Sequence, residues 1–157
     1  MRAARLLRRV GAMGALAAMA LPASAQASCA LVDSTMGLGQ ILNASQLREM
    51  QGEVVNGKLV RGSAPPAMVR LTGCSETLTT TVKLEPVTMV RSGTTLVFNP
   101  WLITVNGNTL GIPQDISQTG YDFLGNATLG ILLVPANLPA TLTPGDYAGT
   151  TLFTFTD

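Results

Sequence analysis

The sequence predicts an all-β sandwich. Turn residues recur at spacings of about a dozen residues, no long stretch repeats its apolar residues with a helical period, and segments rich in Thr and Val alternate apolar and polar side chains. Short alternating strands joined by turns at this spacing are typical of two antiparallel sheets packed face to face. The one stretch of helix-forming residues, Asn43–Gln51, is short.

Glycine-containing turns divide the chain into its predicted strands. Asn56-Gly57 and Asn106-Gly107 favour two-residue hairpins, because both positions of such a turn need a positive φ. Ser92-Gly93 and Pro144-Gly145-Asp146 predict two more turns, the second just before a last strand. The dense apolar run Leu129–Val134 lies between turn residues and predicts a strand.

Two further segments complete the predicted strands. Glu76–Val90, rich in Thr and Val, is interpreted as one strand with a buried and an exposed face. Pro100 is expected at an edge or a bend, because proline has no N–H to donate to a sheet. Trp101, which follows it, is interpreted as a core or rim residue rather than as a platform on which a ligand stacks.

Residues 1–27, here called the leader, have the pattern of a secretory signal peptide. Four arginines precede or adjoin an apolar stretch of 12 residues, Val10–Leu21, which is too short to span a bilayer. Small residues suited to cleavage follow at Ala23–Ala25 and Ala25–Ala27. We therefore predict cleavage after Ala25 or Ala27, export, and one mature domain, residues 28–157, with no transmembrane segment.

Composition limits the functions available to this domain. Without the four leader arginines it has six basic and nine acidic residues, a net charge of −3, and this argues against nucleic acid as a partner. The absence of histidine removes the commonest general base and metal ligand. The acidic residues show no calcium-loop spacing. We predict a protein that is not an enzyme and has no catalytic residues, metal or cofactor.

Cys29 and Cys74 are the only cysteines. Two cysteines in an exported chain most often form one disulfide. It would close a loop of about 46 residues, which the chain-entropy account values at about 4 kcal/mol. Two alternatives remain open: both thiols are free and buried, or Cys29 carries a lipid. Gln26 stands where a lipidation motif has an aliphatic residue, which disfavours the second.

Three motifs, in this order, resemble the pilin-like subunits of bacterial chaperone–usher fimbriae, including secreted proteins similar to spore coat protein U. Cys29 followed by ALVDSTMGLG resembles the family's first cysteine, short strand and glycine-containing turn. VRLTGCSE, around Cys74, is similar to the apolar strand that ends in the second disulfide cysteine. PGDYAGTTLFTFT resembles the terminal turn and the alternating last strand. The match of the two cysteines also implies that they are paired.

The resemblance implies an immunoglobulin-like sandwich that lacks its final strand, and a structural or adhesive role in a fimbria-like surface assembly. In such subunits a periplasmic chaperone first supplies the missing strand, and a neighbouring pilin-like subunit replaces it at an outer-membrane usher. The expected route is therefore the periplasm and then the cell surface or the fimbrium. Tyr147, Thr151, Phe153 and Phe155 share one parity, which suits an inward stripe lining the chaperone or donor-strand groove.

One feature of the family is missing from the predicted mature chain. A donor extension normally precedes the first cysteine, whereas cleavage would leave only Ser28, or residues 26–28, before Cys29. At about 3.3 Å per residue this is too short to span a groove. We expect a subunit that accepts a strand without donating one. The alternative is a self-contained secreted sandwich that binds a glycan or a surface partner.

Overall fold

The computed structural model describes residues 3–11, 18–20, 29–34, 38 and 40–156. These residues form strands and one short helix, α1 (Ala44–Gln51). The strands are β1 (Ala3–Gly11), β2 (Ala18–Ala20), β3 (Ala30–Ser34), β4 (Glu53–Val55), β5 (Lys58–Val60), β6 (Ala67–Thr72), β7 (Thr80–Leu84), β8 (Val87–Arg91), β9 (Thr94–Val105), β10 (Asn108–Asp115), β11 (Tyr121–Phe123), β12 (Ala127–Pro135) and β13 (Ala148–Thr156).

The strand pairings are all antiparallel and follow the order β11-β7-β13-β8-β9-β12-β6-β3. β10 pairs with β9, β1 pairs with β13 and β2, and β4 and β5 form a separate hairpin. The prediction of an all-β sandwich is confirmed. In the part of the chain that the structure describes, no helix has the length and apolar character needed to cross a membrane.

A bent segment made of two strands, β7 and β8, connects the two layers. β7 and β8 lie along the same edge of β13, with Leu84 opposite Phe153 and Val90 opposite Ala148, and the register shifts by one residue between them. On its other edge β7 pairs with β11, whereas β8 pairs with β9. The segment predicted as one strand, Glu76–Val90, is therefore two strands. Pro86 lies at the bend, where it has no N–H to contribute to a sheet.

The core lies between these layers and is mainly aliphatic. Alternate residues of the strands point into it, as in β7 and β9, where buried and partly exposed positions alternate. The largest fully buried side chains include Tyr147, Phe98, Phe153, Phe155, Leu71, Leu84, Met89, Leu96 and Leu102. The last strand thus contributes two of the core's phenylalanines.

A second apolar cluster lies on the outer face of β9 and β12. Ile103, Leu132 and Val134 are buried there, with Leu59 and Trp101 packed against them. α1 and the β4–β5 hairpin pack against β12. β12 is consequently covered on both faces, which explains why its sequence is an unbroken apolar run rather than an alternating one.

Local sequence signals determine the helix and the hairpins. The Asn43 side chain accepts a hydrogen bond from the Gln46 N–H at 2.8 Å, and the Gln46 side chain accepts one from the Leu42 N–H at 2.8 Å. These bonds satisfy free N–H groups at the start of α1. Asn56 and Asn106 adopt positive φ values of 52° and 51°, as the predicted hairpin turns require.

The predicted disulfide between Cys29 and Cys74 is present, with the two Cα atoms 4.2 Å apart. Cys29 precedes β3 and Cys74 follows β6, and these neighbouring strands place Ala30 opposite Thr72. Both sulfurs are buried in the core. The bond therefore fixes the edge strand of one layer to its neighbour, and the alternatives of free thiols and a lipidated Cys29 do not apply to this structure.

We expect replacement of both cysteines by alanine to lower the free energy of unfolding by about 4 kcal/mol, because the unfolded chain regains the freedom of a long loop. The measurement is urea unfolding of the purified chain. Wild-type protein in a reductant is the matched control and should lose a similar amount. A double variant as stable as the oxidised protein would contradict the prediction.

Candidate functional site

The candidate site is the edge of β13 that faces away from β7 and β8. β1 pairs antiparallel with this edge over nine residues, from Ala3 opposite Thr156 to Gly11 opposite Ala148. We call the edge, Ala148–Thr156, the acceptor edge. β1 belongs to the leader, which was predicted to be cleaved and to lie outside the fold, so a strand here was not anticipated. The assignment of the leader as a signal peptide remains a prediction.

The N–H and C=O groups of successive β13 residues point alternately to the strands on its two sides. The Leu152 carbonyl accepts a hydrogen bond from the Glu85 N–H at 3.0 Å, on the side of the bent segment. In an antiparallel ladder the neighbouring residues point their N–H and C=O groups the other way. The N–H and C=O groups of Thr151, Phe153 and Phe155 therefore face β1. Their partners there are Arg8, Leu6 and Ala4, respectively.

The predicted inward stripe is buried. Tyr147, Phe153 and Phe155 are fully buried and Thr151 is nearly so, whereas Leu152 is only partly buried. The rings of Phe153 and Phe155 stack with their centroids 6.4 Å apart. The Thr151 hydroxyl donates to the Glu85 carbonyl at 2.8 Å. The structure thus brings the four predicted residues to one face of the last strand, and their role in a groove stays a prediction.

The turn before β13 is held by hydrogen bonds with Arg91 of β8 and with Ile41. On the side of β8, the Arg91 guanidinium donates to the Pro144 carbonyl at 3.0 Å and to the Asp146 carbonyl at 3.2 Å. Gly145, which lies between these two residues, exchanges two backbone hydrogen bonds with Ile41, of 2.8 and 3.1 Å. These contacts fix where the acceptor edge begins.

Tyr147 anchors the same turn from within the core. Its hydroxyl donates to the Thr143 carbonyl, four residues earlier, at 2.5 Å. A buried tyrosine near the start of a late strand, bonded back to the preceding backbone, is the corner arrangement known from immunoglobulin-like sandwiches. Tyr147 was predicted from its parity, whereas Arg91 and Ile41 were not, because their partners are backbone groups far away in the sequence.

The approach of β8 to β13 is close at Gly149. A Cβ atom at this position would lie 2.2 Å from the Thr88 carbonyl oxygen and 3.1 Å from the Met89 side chain. Both neighbours belong to β8, whose pairing fixes their positions. Glycine is therefore needed here for packing.

The described residues contain no cluster of metal-ligating side chains. None of their histidine, cysteine, aspartate and glutamate side chains form a group of three that could hold a metal ion. Comparisons of the chain with models of protein families, with curated proteins and with solved structures gave no match. The pilin-like resemblance therefore rests on the sequence motifs alone.

We expect Phe153→Ala to lower the free energy of unfolding by about 3–5 kcal/mol, because it leaves a cavity in the packed core. Thr154→Ala, next to it on the partly exposed face, should change the free energy by no more than about 0.5 kcal/mol. Urea unfolding of both variants is the measurement. Equal and small effects would show that the stripe does not support the core.

We expect Gly149→Ala to lower the free energy of unfolding by about 1–3 kcal/mol, because the methyl group must push β8 and β13 apart. Gly111→Ala in β10 is the matched control, since a Cβ there meets nothing within 4 Å. Thermal unfolding of the two variants compares them directly. A Gly149→Ala variant as stable as the control would refute the close approach.

Proposed function

We propose that this protein is an exported, non-enzymatic subunit of a fimbria-like surface assembly and that its acceptor edge binds a strand from another chain. The supporting observation is the pairing of β1 with β13 over nine residues. It indicates that this edge, along its whole length, has the geometry to receive an antiparallel strand. The motif resemblance around Cys29, Cys74 and the last strand points to the same function.

Loss of the leader would leave the acceptor edge in need of a new partner. The N–H and C=O groups that Thr151, Phe153 and Phe155 direct toward β1 would lose their hydrogen bonds. An open edge of this kind pairs readily with another strand, or with another copy of the protein. Under the proposed function a periplasmic chaperone fills the edge first, and another pilin-like subunit fills it in the assembly.

The acceptor edge defines what a donor must supply. It needs about nine residues in extended conformation, or about 30 Å, running antiparallel to β13. Main-chain hydrogen bonds would provide much of the affinity, and the side chains opposite Thr151, Phe153 and Phe155 would determine the register. The resemblance makes an N-terminal extension of another subunit the expected donor.

The test compares the full chain with residues 28–157. We expect the shorter form to self-associate, and a synthetic peptide of residues 3–11 to restore the monomer. The peptide should raise the melting temperature with concentration, because a ligand of the folded state alone stabilises that state by RT ln(1 + [L]/Kd). Light scattering and thermal unfolding are the measurements.

Methylated peptides make the test specific for the strand edge. N-methyl groups on Leu6 and Arg8, whose N–H groups face β13, should abolish the effect. N-methyl groups on Leu7 and Arg9, whose N–H groups face away, should preserve it. If residues 28–157 are monomeric, protected from hydrogen exchange along β13 and indifferent to all these peptides, the proposed function is wrong.

A further inference from the structure

A cavity of about 220 Å³ lies between the C-terminal end of α1, residues 64–67 and β12. We call it the Gln51 cavity, after the one polar residue that lines it. An apolar cavity of about 150 Å³ in another protein is large enough to bind benzene. The Gln51 cavity therefore has room for a somewhat larger molecule.

The strand pairing explains why a cavity lies here. The ladder between β6 and β12 ends with Ala67 opposite Ile131. The two residues before Ala67 are Pro65 and Pro66, and proline has no N–H with which to continue a ladder. Because β12 continues past this last pair, its next residues border a gap in the sheet rather than a neighbouring strand.

The side-chain amide of Gln51 has no partner and meets this gap. Only 5% of Gln51 is exposed, and its amide makes no hydrogen bond within the part of the chain that the structure describes. Trp101 Nε1 is the one side-chain nitrogen or oxygen of the described residues that is sealed from solvent without a partner, so the Gln51 amide is not sealed. Since Gln51 lines the cavity, the amide borders its open space.

The surroundings of the amide offer few other groups for hydrogen bonds. Every other residue of the lining has an apolar side chain. The Ala64 N–H already donates to the Met50 carbonyl at 2.8 Å, and Pro65 and Pro66 have no N–H. A buried water typically makes about three hydrogen bonds, so water is a poor filling for a space with a single polar side chain.

The lining selects among ligand classes. None of its residues is ionisable, so a charged ligand would lose its hydration there without meeting an opposite charge. A hydrocarbon would leave the Gln51 amide unpartnered. A neutral hydroxyl or amide group both donates and accepts hydrogen bonds, and it therefore satisfies the Gln51 amide.

We propose that the Gln51 cavity binds a short, neutral aliphatic molecule with one hydroxyl or amide group. The polar group exchanges hydrogen bonds with the Gln51 amide, and the aliphatic part packs on Met50, Leu132 and the two prolines. The cavity is formed by α1, residues 64–67 and β12 rather than by β13. This inference therefore stands independently of the strand-accepting function.

The test follows two isoleucine methyl groups by NMR while the full-length protein is titrated with hexanamide and 1-heptanol. Ile131 lines the cavity, whereas Ile112 of β10 is 80% exposed and reports nonspecific contact with the surface. Hexanoate and heptylammonium are charged probes of similar size. We expect a saturable shift of the Ile131 signal with the neutral probes, none with the charged probes, and no shift of Ile112.

Three variants identify the groups that bind, with calorimetry as the measurement. Gln51→Leu keeps the approximate volume and removes the amide, so it should weaken hexanamide binding about tenfold without lowering the melting temperature. Ala64→Leu fills the cavity and should abolish the binding of both neutral probes. Ala136→Leu, at an exposed alanine outside the lining, is the matched control and should bind as the wild type does.

Some results would overturn the inference. One is the absence of a saturable Ile131 shift with both neutral probes, and another is equal binding of a charged probe and its neutral counterpart. A third is binding that Gln51→Leu and Ala64→Leu both leave unchanged while circular dichroism shows that they are folded. None of these results bears on the acceptor edge, which the peptide experiment tests separately.

Discussion

The structure depends on one requirement: the backbone of β13 must be paired on both edges. Within the sandwich, one edge pairs with the bent segment formed by β7 and β8. The other edge is paired by a segment near the start of the chain, from which β13 is separated by nearly the whole sequence. Because Phe153 and Phe155 belong to both this edge and the core, the state of the edge and the stability of the core are linked.

The two layers differ in structure, and the segment formed by β7 and β8 connects them. Its first half holds β13 beside β11, and its second half holds β9, which leads to the covered face of β12. The disulfide fixes β3 to β6 at the far end of the second layer. This layer has its own outer cover, α1 and the β4–β5 hairpin, and can hold a cavity there without disturbing the edge of β13.

Local chemistry made much of the fold predictable. The asparagine–glycine turns, the short helix, the disulfide and the inward parity of the last strand all follow from neighbouring residues or from a count of cysteines. The bend at Pro86 was missed, because the Thr and Val pattern continues on both sides of it. Trp101, expected as a core or rim residue, packs against a buried cluster, whereas its pairing with Asp115 depends on strand register. The pairing of β1 is also a long-range property that no local pattern encodes.

The bridge between Ile41 and Gly145 lies at the turn where the acceptor edge of β13 begins. Arg91 binds the carbonyls of Pro144 and Asp146, and the backbone of Gly145 between them is paired with Ile41. The backbone groups of this turn, just before Ala148, are therefore already bonded. A strand that continued along the acceptor edge past Ala148 would therefore meet a turn that is already bonded, and the fold closes this end of the edge.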